Sequence, residues 1–287
     1  MVILLQTTGR LGTIPGGIQR QTETLGFDHD NSTNPDLKSY GGVIIANSED
    51  QSVEQARNCL NQSVKYAWWP VGWKKRDEVL GRDSTKNVEF LQKHAHVIIA
   101  QSRTELNDLN HSKAVIIPPA VDEVFQNISP NRIFVHTNGR YCPFKRQEFV
   151  LKLCQDLQLP CITAGYEQNA DYFKICSEYN GIVLGLQTPE QLNEIYNKTR
   201  IYVCASLSEC NSGSVHEAVA CGCCVLADGR NHFGVQDWDK RGVKLYYSDS
   251  ECRQLLDDLY QNPEPQENSV VYQSTIQKMF FRLFTDF

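Results

Sequence analysis

The chain has 287 residues, more than a single hydrophobic core usually holds, so two domains are expected. Apolar residues at 41% and charged residues at 22% are ordinary globular values, which exclude disordered, collagen-like and solenoid chains. The 28 Lys and Arg against 34 Asp and Glu leave a net charge of -6, which excludes a protein that coats nucleic acid by bulk charge.

The longest apolar runs, such as Val97-Ile98-Ile99-Ala100, stop far short of the ~20 residues that cross a bilayer, so no transmembrane helix is expected. Met1-Val2-Ile3-Leu4-Leu5-Gln6 lacks a basic leader and a cleavage site and reads as a first buried strand; a cytoplasmic location is the expectation. Eleven cysteines at irregular spacing in a chain of this size read as reduced thiols. Cys221, Cys223 and Cys224 have no second Cys or His pair at zinc-like spacing, so no metal is assigned to them. Between Lys65 and Arg103 eight Lys and Arg face four Asp and Glu, whereas Asp249 to Glu267 is dominated by acids. That segregation is read as a solvated surface or as a local basic face.

In chain order, strands are predicted at Val2–Thr7, Val43–Asn47, Val64–Trp69, Val97–Gln101 and Val115–Pro118. Helices are predicted at Ser52–Leu60, Thr85–Lys93 and Arg103–Asn110, the last with Ser102 and Glu105 as a capping-box pair. Asp122 to Asn131 has turn formers and no period, which places the domain boundary there. Beyond it, strands are predicted at Arg132–Thr137, Cys161–Ala164, Ile182–Leu184, Ile201–Cys204, Cys223–Ala227 and Val243–Tyr247. Phe149, Val150, Leu153, Cys154 and Leu157 make one helical face, and Thr188-Pro189-Glu190-Gln191 starts another helix that runs to Lys198. Ile276, Met279, Phe280, Leu283, Phe284 and Phe287 form the apolar face of a terminal helix, read either as simple packing or as a helix returning across the boundary. Short buried strands alternating with amphipathic helices define an α/β chain.

The segment Ile201 to Asp228 carries the most chemistry. A buried strand ends at Cys204, a loop of small polar residues follows, and a helix opens near Ser212 and Gly213 and stops at Gly222. Backbone N–H groups at that helix start suit an anion such as a sugar diphosphate, and Glu209 and Glu217 flank it as acceptors for hydroxyl groups.

Glu209 and Glu217 with Ala218-Val219-Ala220-Cys221-Gly222-Cys223-Cys224-Val225 resemble the Glu-x7-Glu segment of the retaining family 4 nucleotide-sugar glycosyltransferases. Ile116-Ile117-Pro118-Pro119-Ala120-Val121-Asp122 is similar to that family's interdomain Ile-Pro-Asn-Gly-Val-Asp. His136-Thr137-Asn138-Gly139-Arg140, with Lys145, resembles its Val-Gly-Arg-x4-Lys, and Gly16-Gly17 resembles its Gly-Gly loop, which reads alternatively as a turn. The matches fall in the family's order and span residues 2 to about 228.

The resemblance implies a GT-B fold: two Rossmann-like domains facing a central cleft, residues 1–123 on the acceptor side and 124–267 binding the nucleotide sugar. The terminal helix, 268–287, packs back toward the N-terminal domain. It implies transfer of a sugar from a nucleotide-diphosphate donor to a hydroxyl acceptor with retention, no resident cofactor and no metal. Arg140 and Lys145 would hold the diphosphate as it leaves, and Glu209 would lie beside the donor sugar. Glu217 would take the ribose, with Gly16, Gly17, Asn211, Ser212, Gly213 and Ser214 completing the donor site. Trp68, Trp69 and Trp73 read either as core or as an acceptor-binding edge, since aromatic faces stack on sugars and bases. The acceptor class stays open between a glycan, a small molecule and a hydroxymethylated base in viral DNA.

Where the family has Glu-Gly-Phe-Gly this chain has Glu209-Cys210-Asn211-Ser212, with the glycine displaced to 213. The family's catalytic-loop histidine is not evident in Tyr66 to Trp73, and the chain is short for the fold. His216 and His29 are the histidines to mutate first. Two alternatives stand beside this reading. Asp28-His29-Asp30 and Asp237-Trp238-Asp239 match the loose Asp-x-Asp of a metal-dependent, single-domain GT-A transferase. Glycines at 9, 12, 16 and 17 would serve a non-catalytic nucleotide-binding module, although no Gly-x-Gly-x-x-Gly is present.

Overall fold

The computed structural model describes residues 3–6, 25, 27–29, 35–70, 77, 81–129, 131–207, 209, 211–230, 242–264 and 272–285. The chain divides into two compact units, Met1–Ala120 with Val271–Phe287, and Val121–Val270.

The first unit is built on a parallel sheet of β1 (Ile3–Gln6), β2 (Asp28–His29), β3 (Gly42–Ala46), β4 (Tyr66–Trp69), β5 (Val97–Ala100) and β6 (Ala114–Ile116), in the order β2-β1-β3-β4-β5-β6. Successive residues of a strand face opposite sides, and both sides are covered, which is why these strands are apolar throughout. Leu4, Val43, Ile45, Tyr66, Trp68 and Ile98 pack under α1 (Asp50–Asn61), α2 (Thr85–His94) and α3 (Arg103–Leu109), which contribute Val53, Ala56, Cys59, Val88, Leu91 and Leu109. Ile3, Leu5, Ile44, Ala67, Trp69, Val97 and Ile99 point the other way and pack with the terminal helix, α9 (Gln273–Thr285). Its Ile276, Phe280 and Leu283 are buried there, with the Phe280 ring 5.1 Å from Phe27 and 6.4 Å from Trp69. Gln277 Nε2 donates to the Leu25 carbonyl at 3.0 Å.

The second unit holds β7 (Phe134–Asn138), β8 (Cys161–Ala164), β9 (Ile182–Leu184), β10 (Thr199–Cys204), β11 (Cys224–Asp228) and β12 (Lys244–Tyr246), all parallel, in the order β12-β11-β10-β7-β8-β9. The chain builds outward from β7 to β9, then returns to β10 and builds outward the other way. The order reverses between β7 and β10, and open α/β sheets bind ligands beyond the carboxyl ends of the strands at such a reversal. Around the sheet lie α4 (Gln147–Leu157), α5 (Ala170–Ser177), α6 (Pro189–Lys198), α7 (Gly213–Ala220) and α8 (Asp249–Gln261). α6 begins with the expected capping box between Thr188 and Gln191.

The segment after Val121 is held to this unit by polar bonds. Asn197 Oδ1 accepts from the N–H groups of Ile128 (2.8 Å) and Ser129 (3.2 Å), and Arg132 donates to the Tyr196 carbonyl at 2.8 Å and Asn127 Oδ1 at 2.7 Å. Two helices had no prediction. α5 is short, and in α8 the acidic exposed face hides a buried stripe of Cys252, Leu256 and Leu259. No helix among the described residues is long and apolar enough to cross a membrane. Two separate parallel sheets overturn the single-domain GT-A alternative. Asp28 and His29 are paired with β1 as a strand, while Asp30 and Asp237-Trp238-Asp239 lie outside the described residues.

Candidate functional site

The site is built from the two loops that leave β7 and β10. After Asn138 the chain turns through Gly139 at φ 138°, a conformation that favours glycine. Gly165, after β8, has no room for a Cβ against the Gly139 carbonyl, so the two strand ends approach closely. Arg140 follows, half-buried, and its guanidinium has no ion pair or hydrogen bond among the described residues. A single 3-10 turn, Pro143–Lys145, and Arg146 in the left-handed region (φ 54°) lead into α4. Buried Gln147 braces the turn, its Nε2 donating to the carbonyls of Gly139 (3.2 Å) and Arg140 (3.0 Å).

The β10 loop meets this turn. Leu207 N donates to the Phe144 carbonyl at 2.9 Å, and Lys145 Nζ forms an ion pair with Glu209 Oε1. Both side chains are 17% exposed. Below them lies Cys204, whose thiol is pushed up to about 12 by burial and by Glu209, with Lys145 pulling the other way.

Ser212 caps α7 in an extended conformation without a side-chain bond to the helix's first N–H groups; its Oγ lies 2.9 Å from Ser214 Oγ instead. A Cβ on Gly213 would meet open space. Asn211 is buried and its Oδ1 lies 2.6 Å from His216 Nε2, which fixes the loop to the helix. Glu217, 5% exposed, accepts from Tyr196 Oη at 3.0 Å. Asn138 Nδ2 donates to that same Oη at 3.0 Å, while Tyr202 Oη donates to Asn138 Oδ1 at 2.9 Å. This chain of bonds runs across β7, β10, α6 and α7 and fixes the position of the Glu217 side chain.

A second charged cluster stands at the end of β11. Arg146 pairs with Asp249 at 2.7 Å and lies over Phe149 at 4.2 Å, while Arg230 pairs with buried Asp228 and with Asp249 at 3.2 Å. Burial acts to raise the Asp249 carboxyl, but bonding to Arg146 and Arg230 outweighs it and holds the group below the usual range.

Of the residues predicted for the site, Arg140, Lys145, Glu209, Asn211, Ser212, Gly213, Ser214 and Glu217 all fall on these two loops and α7. Gly16, Gly17 and Trp73 lie outside the described residues. Trp68 and Trp69 correct the acceptor-edge expectation: they are 0% and 3% exposed, one on each face of the sheet, and offer no free ring face. Trp68 Nε1 donates to the Asn47 carbonyl at 2.6 Å. His29 belongs to β2, and His216 is a buried partner of Asn211.

Sequence reasoning missed Tyr196, Tyr202 and Gln147, which carry no local motif. The thiols of Cys221, Cys223 and Cys224 reach three different acceptors, Asn193, Tyr196 and Glu264. No cluster of His, Cys, Asp or Glu that could hold a metal occurs among the described residues.

This architecture is the GT-B fold. No family model matches the chain, and no curated protein matches its sequence. Solved structures do. Sucrose-phosphate synthase from Thermosynechococcus elongatus superposes with a TM-score of 0.72 at 14% identity, over 100% of this chain and 94% of that one. HepE of Anabaena, solved in complex with UDP-glucose, gives 0.69 at 14% identity over 99% and 96%. AviGT4, a glycosyltransferase involved in avilamycin A biosynthesis, gives 0.59 at 13% identity over 99% and 97%.

Proposed function

We propose that the chain is a glycosyltransferase that moves a sugar from a nucleoside diphosphate sugar to a hydroxyl acceptor, with retention and without a metal. The observation that carries this reading is the convergence of Arg140, Lys145, Glu209 and the start of α7 beyond the carboxyl ends of β7 and β10. Two cations and a helix N-terminus are suited to a diphosphate, and the likeness to a structure bound to UDP-glucose supports the same choice.

In the reaction, the bond from the sugar's anomeric carbon to the distal phosphate oxygen breaks and the electron pair leaves with the nucleoside diphosphate. Arg140 and Lys145 stabilise the charge that builds on that oxygen, an electrostatic task these cations perform without a metal. The acceptor hydroxyl adds to the anomeric carbon, and its proton passes to the departing phosphate. The carboxylate of Glu217, held by Tyr196, is placed to accept from ribose hydroxyls. The acceptor is a hydroxyl compound: a glycan, a small molecule or a modified DNA base.

Calorimetry with nucleoside diphosphates tests the site. Arg140→Ala and Lys145→Ala each remove a charge-assisted contact worth ~1.5–3 kcal/mol and weaken binding at least tenfold, and Glu217→Gln weakens it as well. Unchanged affinity in all three variants would place the diphosphate elsewhere. Turnover that survives a chelator, with the product's anomeric configuration read by NMR, checks the metal and the retention.

A further inference from the structure

Lys145 is already engaged. Its ammonium is paired with Glu209, both groups are mostly shielded from water, and the Leu207-to-Phe144 bond holds their loops together. A phosphate arriving at Lys145 must therefore share the cation with a carboxylate, and two anions on one ammonium in a low-dielectric site repel each other.

The two ligands of the proposed reaction meet that repulsion differently. In an intact donor the sugar is bonded to the very phosphate that Lys145 would hold. Its hydroxyls then lie beside Glu209, which can accept hydrogen bonds from them. A bare nucleoside diphosphate brings no hydroxyl to that position. It also exposes a terminal phosphate with a second ionisation near pH 6, as in other phosphate monoesters, so it carries more negative charge at neutral pH. The negative charge of Glu209, shared with Lys145 in either case, therefore opposes the product more than the donor.

We propose that Glu209 is a specificity-determining residue that favours the intact nucleotide sugar over the nucleoside diphosphate product. The inference rests on the donor site being the one proposed above. Nothing in it requires Glu209 to act on the reacting bond. Discrimination here comes from a repulsive element as much as from an attractive one.

The test compares wild type and Glu209→Gln by calorimetry against paired probes: UDP and UDP-glucose, GDP and GDP-mannose, ADP and ADP-glucose. In the pair that wild type binds, Glu209→Gln tightens the bare diphosphate at least fivefold and leaves the sugar nucleotide unchanged or weaker. Glu209→Ser, with circular dichroism as a check on folding, gives the same sign. Equal changes for both members of the pair, or a weaker bare diphosphate, overturn the proposal while leaving the donor site intact. Binding of none of the probes by wild type overturns the donor-site reading itself.

Discussion

His136, two residues before Asn138 on β7, shows what burial does to a single group next to the site. It is 0% exposed, its Nδ1 donates to the Ile162 carbonyl at 2.9 Å, and its ring lies 5.3 Å from Tyr196 and 5.7 Å from Tyr202. Nε2 has no hydrogen-bond partner among the described residues, so a proton there would be an unpaired buried charge. Burial lowers its pKa from 6.5 to about 4, with the bond to Ile162 opposing. The unfolded chain takes up this proton from about pH 6.5 downward, whereas the folded chain refuses it until about pH 4. Stability is thus intact above that window, falls as pH drops through it, and levels off below. The loss is about 3 kcal/mol on the usual 1.4 kcal/mol per pH unit. Urea denaturation of wild type and His136→Leu across this range checks it, since the variant lacks this share of the slope; parallel slopes would remove His136 from the account.

At the scale of elements, α9 is the clearest dependence of one segment on another. Phe280 is 2% exposed and packs edge-on to Phe27 and against Trp69, and an added Cβ on Gly42 would strike the ring of Phe284. Phe280→Ala therefore costs about 3–5 kcal/mol, because the rigid sheet beneath cannot collapse into the space. Denaturation followed by tryptophan fluorescence reads it, as Trp68 and Trp69 are buried in the sheet of that unit. A loss below about 1 kcal/mol would mean that the helix is not part of that core. Its spacing of apolar residues was plain in the sequence, since a helix writes its buried face into a local period. The α8 helix was not read because acids outnumber its buried Cys252, Leu256 and Leu259. Trp68 and Trp69 misled for a related reason. Adjacent strand residues point to opposite faces, so both can be buried only when both faces are covered, which neighbouring letters do not reveal. Lys145 and Glu209 lie far apart in the chain, and only a family resemblance joined them. Tyr196, at the centre of the bonds around Glu217, sits on a helix whose sequence signals nothing but a helix.

For the whole molecule, the order of the chain and the order of the cores differ. The chain leaves the first unit after Ala120, completes the second through Val270, and then returns to the first with α9. Each unit has its own parallel sheet and its own buried cluster, while every described residue proposed to hold the donor belongs to the second. A ligand stabilises only the folded state that binds it, by about 2.7 kcal/mol at a hundredfold excess over Kd. Scanning calorimetry should therefore resolve two transitions with independent controls. A bound nucleoside diphosphate raises the transition of Val121–Val270 by about 5–10 °C, as this energy implies for a unit of such size. Phe280→Ala lowers the other transition and leaves the nucleotide-dependent one in place. A single transition moved by both the ligand and the substitution would show that the two cores unfold as one, because energy added to either unit would then be shared by the whole chain.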